Sequence, residues 1–444
     1  MTDTSRESGA LRRVLGPGTL ALIFANGTIG AGIFAVPGLV AATLGSATAL
    51  GYAICAVLVM LIFLCFAEVG SRVHESGGAY AYVETAFGPF AGFIAANLMW
   101  FGFAACSDAA LADVLVSALA TAAPILAQPV PRALALIGLF AFMAGVNIMG
   151  VKTGARLVVV LTVLKLLPLL LLLVVGIPHI DLSHIIPSSM PSASTLGSGV
   201  LLLMFAFVGG EASLSASGEL RNPSRTVPLG LLMGVATVVG LYFGLQLVAE
   251  GVLGADLPRQ TVTPLAATAE QLMGPWGRTL LLGAVSLSIF ANVNGDLLVS
   301  PRCLYAAAKD GLLPAPLAKV HPRYDTPYVA ILVFAAIACA LAVLGAFRSL
   351  AILGTASVLL VDVAVCLAVL RLRQRGVQTA DTPFIIPGGP LVPILGAAVC
   401  VWVLTNLSRE ELLGLSALVF FSGGLYLRVL RARQFKAARA ARSV

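Results

Sequence analysis

Long apolar runs recur along the whole chain, separated by short clusters of charge, proline and glycine. Cutting at those clusters leaves about twelve stretches: 14–41, 45–68, 90–122, 132–150, 155–177, 195–218, 227–250, 278–307, 328–346, 349–371, 390–407 and 411–430. Most reach the roughly 20 residues that a helix needs to cross a bilayer. In hydrocarbon every backbone N–H and C=O must be satisfied within the structure, so these runs are expected to be helices. Connections such as Arg409-Glu410-Glu411 leave no room for a separate fold. The pattern predicts one all-α integral membrane domain over residues 1–444, with about twelve transmembrane helices.

Two runs carry helix breakers where a helix is most needed. The first contains NGTIGAGIFAVPG, Asn26 to Gly38; the sixth contains FAFVGGEASLSASGE, with Gly209-Gly210-Glu211 near its middle. Glycine lets a chain leave the helix without Cβ strain, and the unwound residues then offer amides and carbonyls that only a cavity tolerates at this depth. The other reading is close packing, because small residues let membrane helices approach. Interruption of the first span in each five-helix half points to a 5+5 inverted repeat, with broken helices 1 and 6. The first repeat is then about 14–177 and the second about 195–371, with two additional helices at about 390–430. A half-helix N-terminus suits a carboxylate and a half-helix C-terminus an ammonium, so one broken pair can hold both ends of an α-amino acid. The letters G-x-G-x-x-A at Gly30–Ala35 also spell a phosphate cradle. That motif needs a strand before it and an acidic residue about 20 positions on. No carboxylate stands between Glu7 and Glu68, so the nucleotide reading is set aside.

Composition agrees with the pattern. The chain is 59% hydrophobic and 11% charged, where soluble domains are near 25% charged. Charge adds orientation. With the N-terminus inside, the cytoplasmic basic residues are Arg6, Arg12, Arg13, Arg72, Lys152, Arg156, Arg221, Arg225, Arg302, Lys309, Lys319, Arg323, Arg371, Arg373, Arg375, Arg428, Arg431, Arg433, Lys436, Arg439 and Arg442. The outer set is Arg132, Arg259, Arg278, Arg348 and Arg409, which is 21 against 5. This asymmetry obeys the positive-inside rule and predicts cytoplasmic N- and C-termini. The basic balance belongs to loops and tails and not to a nucleic-acid surface. Arginine outnumbers lysine, which fits a GC-rich bacterial genome and hence a bacterial inner membrane.

The seven cysteines, Cys55, Cys65, Cys106, Cys303, Cys339, Cys366 and Cys400, lie in apolar runs without a C-x-x-C. They are expected to pack, with no disulfide framework, metal site or cofactor. No catalytic triad or nucleotide site is evident, and no pair of buried Asp residues has a convincing spacing for an intramembrane enzyme. The reading is therefore not an enzyme. A transporter-like sensor is disfavoured by the lack of a signalling domain.

The chemistry lies in the intramembrane charges: Asp108, Asp113, Lys165, Glu211, Asp296 and Asp362. Such groups are costly in lipid and mark pathways or pairs. Lys165 lies 13 residues past Lys152, roughly 20 Å along a helix and too deep to snorkel. Pro168 leaves the Leu164 carbonyl without its helical donor. Lys165 is either a structural ammonium on backbone carbonyls or a proton-exchanging coupling group. Glu211, beside the second break, is either structural or a pH-responsive gate. Asp296 is either a side-chain pocket carboxylate or the partner of Lys165 or another helix. Asp113 and Asp362 receive no role.

The chain resembles the amino acid–polyamine–organocation superfamily of permeases, which share the LeuT-like fold. The resemblance rests on GTIGAGIF (27–34), SGGAYAYVETAFGPFAGF (76–93), FVGGEA (207–212), GELRNPSRTVP (218–228) and SPRCLYAAAKDGLLP (300–314), in the family's order and spacing. It implies a substrate site at Thr28, Ile29, Gly30, Ala31 and Gly32 on the first break. The carboxylate is expected at the amides around Ala31 and Gly32, and the ammonium at the carbonyls of Thr28, Phe205 and Val208. Phe205 takes the place of an aromatic that closes the site from outside; an ordinary packed Phe is the alternative. Ala31 stands where relatives have Ser, so one hydroxyl contact is missing. Lys165 occupies the place of the sodium ion in sodium-coupled cousins. Ser107 and Asp296 correspond to positions facing the substrate side chain, and a carboxylate there favours a cationic substrate. The expected function is secondary transport of an amino acid or amine by alternating access, driven by protons or by exchange. The partners are the small molecule, protons and membrane lipids, with no nucleic acid; the oligomeric state is not legible.

Overall fold

In the computed structural model the described residues are 16–30, 32–73, 78–121, 123–149, 155–185, 190–309, 313–377 and 383–441, of which 155–162, 215–219, 429 and 431–441 are described by their backbone. Ala31, Arg6, Arg12, Arg13, Lys152 and Arg442 lie outside them, as do the side chains of Arg156, Arg431, Arg433, Lys436 and Arg439. The described residues are helical: α1 Pro17–Thr28, α2 Gly32–Leu44, α3 Thr48–Arg72, α4 Ala79–Phe87, α5 Pro89–Asn97, α6 Cys106–Ala120, α7 Pro129–Ile148, α8 Ala155–Gly176, α9 Ala193–Phe207, α10 Pro223–Leu253, α11 Pro264–Lys309, α12 Tyr328–Leu344, α13 Phe347–Gln374, α14 Leu391–Leu404 and α15 Arg409–Ala441. Among them seven helical segments are long and apolar enough to cross a membrane, and four more are shorter and apolar.

Helices form wherever the apolar runs predict them, and four runs show more detail. The run 14–41 is two helices, α1 and α2; α1 ends at Thr28, and α2 begins at Gly32. The run 195–218 is α9 followed by a tight 3-10 stretch, Gly210–Glu219. The run 90–122 holds a π-helical stretch, Leu98–Ala105, between α5 and α6. The helix around 278–307 is preceded by a second helical stretch from Pro264, and the two meet at the non-helical Gly274, where φ is 70° and Pro275 follows.

Burial shows which faces meet. Leu20 and Phe24 of α1 are buried against α10, where Gly230 and Gly234 leave room. A Cβ on Gly230 would lie 2.7 Å from Leu20, and one on Gly234 2.7 Å from Phe24. The outer flanks keep large apolar side chains exposed, such as Leu134 and Phe142 on α7 and Phe420 and Phe421 on α15, as a lipid-facing surface requires. Two apolar grooves open on these flanks, one of about 280 Å³ between α3 and α14 and one of about 410 Å³ between α8 and α11. Both lie away from the broken helices.

One end of the bundle is fastened by an ion cluster. The buried Glu68 carboxylate accepts from Arg72 Nη2 at 2.8 Å, from Arg373 Nη2 at 2.6 Å and from the Ile386 amide at 2.9 Å. Arg72 and Arg373 donate onward to the carbonyls of Val377 and Gly389. These two arginines, counted above as loop charge, join α3 to α13 and to the segment before α14.

Candidate functional site

The first break is built by one diverted hydrogen bond. Ile29 N makes the last helical bond of α1, to Ala25 O at 2.9 Å. Gly30 N then turns from its helical acceptor, Asn26 O, to Thr28 O at 2.8 Å. With φ −76° and ψ 82° at Ile29, this is an inverse γ-turn. The turn frees the carbonyls of Asn26 and Ile29, and the buried Lys165 takes both, each at 2.7 Å from Nζ. Ile29 O also accepts from Ser288 Oγ at 3.2 Å and Asn292 Nδ2 at 3.4 Å, both on α11. Thr28 O accepts a second bond, from Tyr242 OH of α10 at 3.1 Å. Both lone pairs of the Thr28 carbonyl, expected at the substrate ammonium, are thus engaged inside the protein in this conformation.

The second break follows the same logic with the opposite charge. Gly209 N, which would close the helix onto Phe205 O, donates instead to Glu211 Oε2 at 2.7 Å. Gly209 sits at φ 109°, open to glycine and strained for other residues. Val208 still closes α9, donating to Met204 O at 3.1 Å. The breaks cross backbone to backbone: a Cβ on Gly27 would lie 2.8 Å from Gly209 O, and one on Gly209 2.7 Å from Gly27 O. Gly32 likewise sits against α9, its Cβ position 2.8 Å from Ala206 Cα. Unwinding and close packing, separate alternatives in the sequence, occur together.

The remaining candidates fall around this crossing. A Cβ on Gly30 would lie 3.1 Å from Asn292 and 3.9 Å from Leu111, so the first break faces α11 and α6. Ser107 and Asp108 stand one turn before Leu111 on α6, just after the π-helical stretch. Asp108 is fully buried, its carboxyl oxygens meet no partner at good hydrogen-bond geometry among the described residues, and the carboxyl of Asp296 on α11 is within hydrogen-bond reach of it. The reading in which Asp296 pairs with Lys165 is not seen: the Lys165 ammonium goes to carbonyls, and the neighbour of Asp296 is a second carboxyl. Phe205 is buried, its ring edge-to-face with Phe347 at the start of α13, 5.6 Å between centroids. Asp113 pairs with Arg132. Asp362 is buried, with neither oxygen partnered among the described residues, and is close enough to Glu211 for their charges to interact. Ser288, Asn292 and Tyr242 were not singled out in the sequence; a polar residue one or two turns from Asp296 was the available signal for the first two.

Residues 15–421 match the amino acid permease family. The chain belongs to that family. It is a multi-pass membrane transporter and not an enzyme. Among its relatives, the branched-chain amino acid permease BcaP of Bacillus subtilis (strain 168) is 28% identical over 429 residues, covering 90% of this chain and 89% of the relative. The serine/threonine exchanger SteT of the same organism is 28% identical, covering 94% and 96%. The cadaverine/lysine antiporter of Escherichia coli (strain K12) is 26% identical over 311 residues, 68% of each chain. The resemblance drawn from the motifs and the family match agree.

Proposed function

We propose that this permease carries an amino acid or amine across the bacterial inner membrane by alternating access. The proposed frame is twelve spans in a 5+5 inverted repeat, with both termini cytoplasmic. The observation that carries the reading is the Lys165 ammonium bridging Asn26 O and Ile29 O. A protonated Lys165 holds the first broken helix to α8, and a neutral one releases it. Proton state then biases the inward–outward equilibrium, because the two conformations interact with it differently. Phe205 on Phe347 closes one side, and Glu211 fixes the second break.

The acid pair supports a cationic substrate. A buried carboxyl beside a half-buried one, with no cation next to them among the described residues, suits a guanidinium or second ammonium on the substrate. The cadaverine/lysine antiporter favours this reading by its name, whereas BcaP favours a neutral substrate. The alternative mode is exchange without proton coupling, as the name of SteT suggests.

The test is uptake by purified protein in liposomes under an imposed pH gradient, with and without sodium. Sodium-independent uptake stimulated by outside acid is expected, and Lys165→Met should fold yet lose proton-driven accumulation. A strict sodium requirement, or undiminished accumulation by the Met variant, would overturn the coupling. Counterflow that ignores the gradient would make the protein an exchanger and Lys165 structural.

A further inference from the structure

A second polar feature runs from the first break along α10. Tyr242, Gln246 and Glu250 are spaced by four and share one helix face, and all three are buried. Tyr52 of α3 lies within charge reach of both Tyr242 and Glu250. Gln246 and Glu250 lie within reach of each other, but Gln246 Nε2 and Oε1, Glu250 Oε2 and Tyr52 OH have no partner at good hydrogen-bond geometry among the described residues. A buried amide whose nearest partner is a poorly aligned carboxyl is expensive in an apolar interior, and a polar cluster of this kind is what buried water serves. Apolar packing borders the file: the Phe207 ring meets Tyr242 and Tyr52 edge-to-face, with centroids 5.0 and 6.4 Å apart. The inner end is Tyr242 OH, donating to Thr28 O, one residue from the carbonyl that Lys165 holds. The other end, Glu250, is 4% exposed and lies one turn from the close of α10, beside the 180–184 connection.

The geometry points to a hydrated proton path from Glu250, past Gln246, to Tyr242 and the first broken helix. This deepens the proton-coupled reading and rests on it. The proton passes from hydronium to the Glu250 carboxylate, then along water held by Gln246 and Tyr242, and the last water of the file gives it to the lone pair of the neutral Lys165 amine, forming the ammonium that bridges the break. The other titratable groups around this end are accounted for. Asp181, whose amide donates to Gly251 O, has its carboxylate on Ser183 N and Oγ at 2.9 and 2.7 Å; His179 Nδ1 is 3.0 Å from Val175 O, His184 Nδ1 is 3.1 Å from Gly251 O, Asp256 pairs with Arg259 at 2.9 Å, and Glu270 pairs with Arg278 at 3.4 Å. Cys55 of α3 contacts Met204. The elements α1, α2 and α9, which flank the path, carry no titratable side chain.

Two measurements test the path. Hydroxyl-radical footprinting should label Tyr52 and Tyr242 in the wild type, despite their burial, because bound water generates the radical in place. Gln246→Leu should abolish that labelling. Unlabelled tyrosines in the wild type, or labelling unchanged by Gln246→Leu, would overturn the hydration. In liposomes, Glu250→Gln should lose gradient-driven uptake and keep substrate counterflow. Retention of both, or loss of both in a protein that still binds substrate by thermal shift, would overturn the proton role. A wild type that ignores the gradient sinks the coupling and this role with it, whereas a wild type that responds beside an equally responsive Glu250→Gln sinks the path alone.

Discussion

Substitution at Gly209 probes the crossing of the two breaks with the fewest assumptions. Gly209→Ala meets two costs. At φ 109° a side chain is strained by about 1–3 kcal/mol. Its Cβ would also sit 2.7 Å from Gly27 O, a backbone atom that moves only if α1 moves, for about another 1–3 kcal/mol. Gly27→Ala meets only the contact, 2.8 Å to Gly209 O, and recovers about 0.5–1 kcal/mol of helix propensity. Gly240, in the middle of α10 with nothing within 4 Å of its Cβ position, is the control. Gly240→Ala should be neutral or slightly stabilising.

The expected order of stability is Gly240→Ala, Gly27→Ala, Gly209→Ala. It is read by thermal unfolding in detergent with a thiol-reactive dye, since Cys55, Cys65, Cys106, Cys366 and Cys400 are buried until the bundle opens. The double variant adds a sharper criterion. Both Cβ atoms press on the same crossing, so once one has parted the backbones the second should cost less than it does alone. Gly209→Ala as stable as Gly240→Ala, or strict additivity with Gly27→Ala, would refute the crossing.

Three further outcomes follow. Asp296→Asn should weaken binding of lysine, arginine or ornithine more than of neutral amino acids in a thermal-shift competition; equal loss for both would make the acid pair structural. Glu68→Ala should cost about 3–5 kcal/mol, because it strands two guanidiniums at a buried end, and Glu68→Gln should recover only part. Phe205→Ala, which removes the stack on Phe347, should raise the labelling of a cysteine placed at Ser107 by an impermeant thiol reagent added outside. Unchanged labelling would count against Phe205 as a closure on that side.

The helices were readable because lipid forces every long apolar run into one structure, and the breaks because glycine at mid-span contradicts that demand. Lys165 was readable for the same reason: an ammonium that cannot snorkel must find acceptors, and a broken helix supplies them. What stayed hidden was partner choice. In a bundle apolar on every side, periodicity does not say which face of α6 meets α11, so the approach of Asp108 to Asp296 left no mark in the pattern. The π-helical stretch before Ser107 was hidden because a single widened turn needs no special residue. Arg72 and Arg373 looked like orienting loop charges, since nothing local reveals a buried Glu68 between them.

The two breaks create four half-helix ends, and the protein's own charges occupy two of them. The C-terminal carbonyls of α1, the negative end of its dipole, hold the Lys165 ammonium. At the second break Glu211 takes the Gly209 amide, at the start of the following turn, where a negative charge is favoured. Among the described residues no charged side chain takes the N-terminus of α2 at Gly32 or the C-terminus of α9, where Phe205 O has lost the donor that Gly209 would supply. They are of opposite polarity, and Gly32 packs directly on Ala206, so they lie side by side. An amide end beside a carbonyl end complements a carboxylate one carbon from an ammonium. On the proposed reading, substrate recognition is therefore the remainder left when Lys165 and Glu211 have each neutralised one end. Neutralising either residue exposes a competing end of the same polarity, so Lys165→Met and Glu211→Gln should both degrade the preference for α-amino acids over simple amines or carboxylates. Thermal-shift competition between an amino acid and its decarboxylated amine measures this, and an unchanged preference in both variants would refute the division of ends.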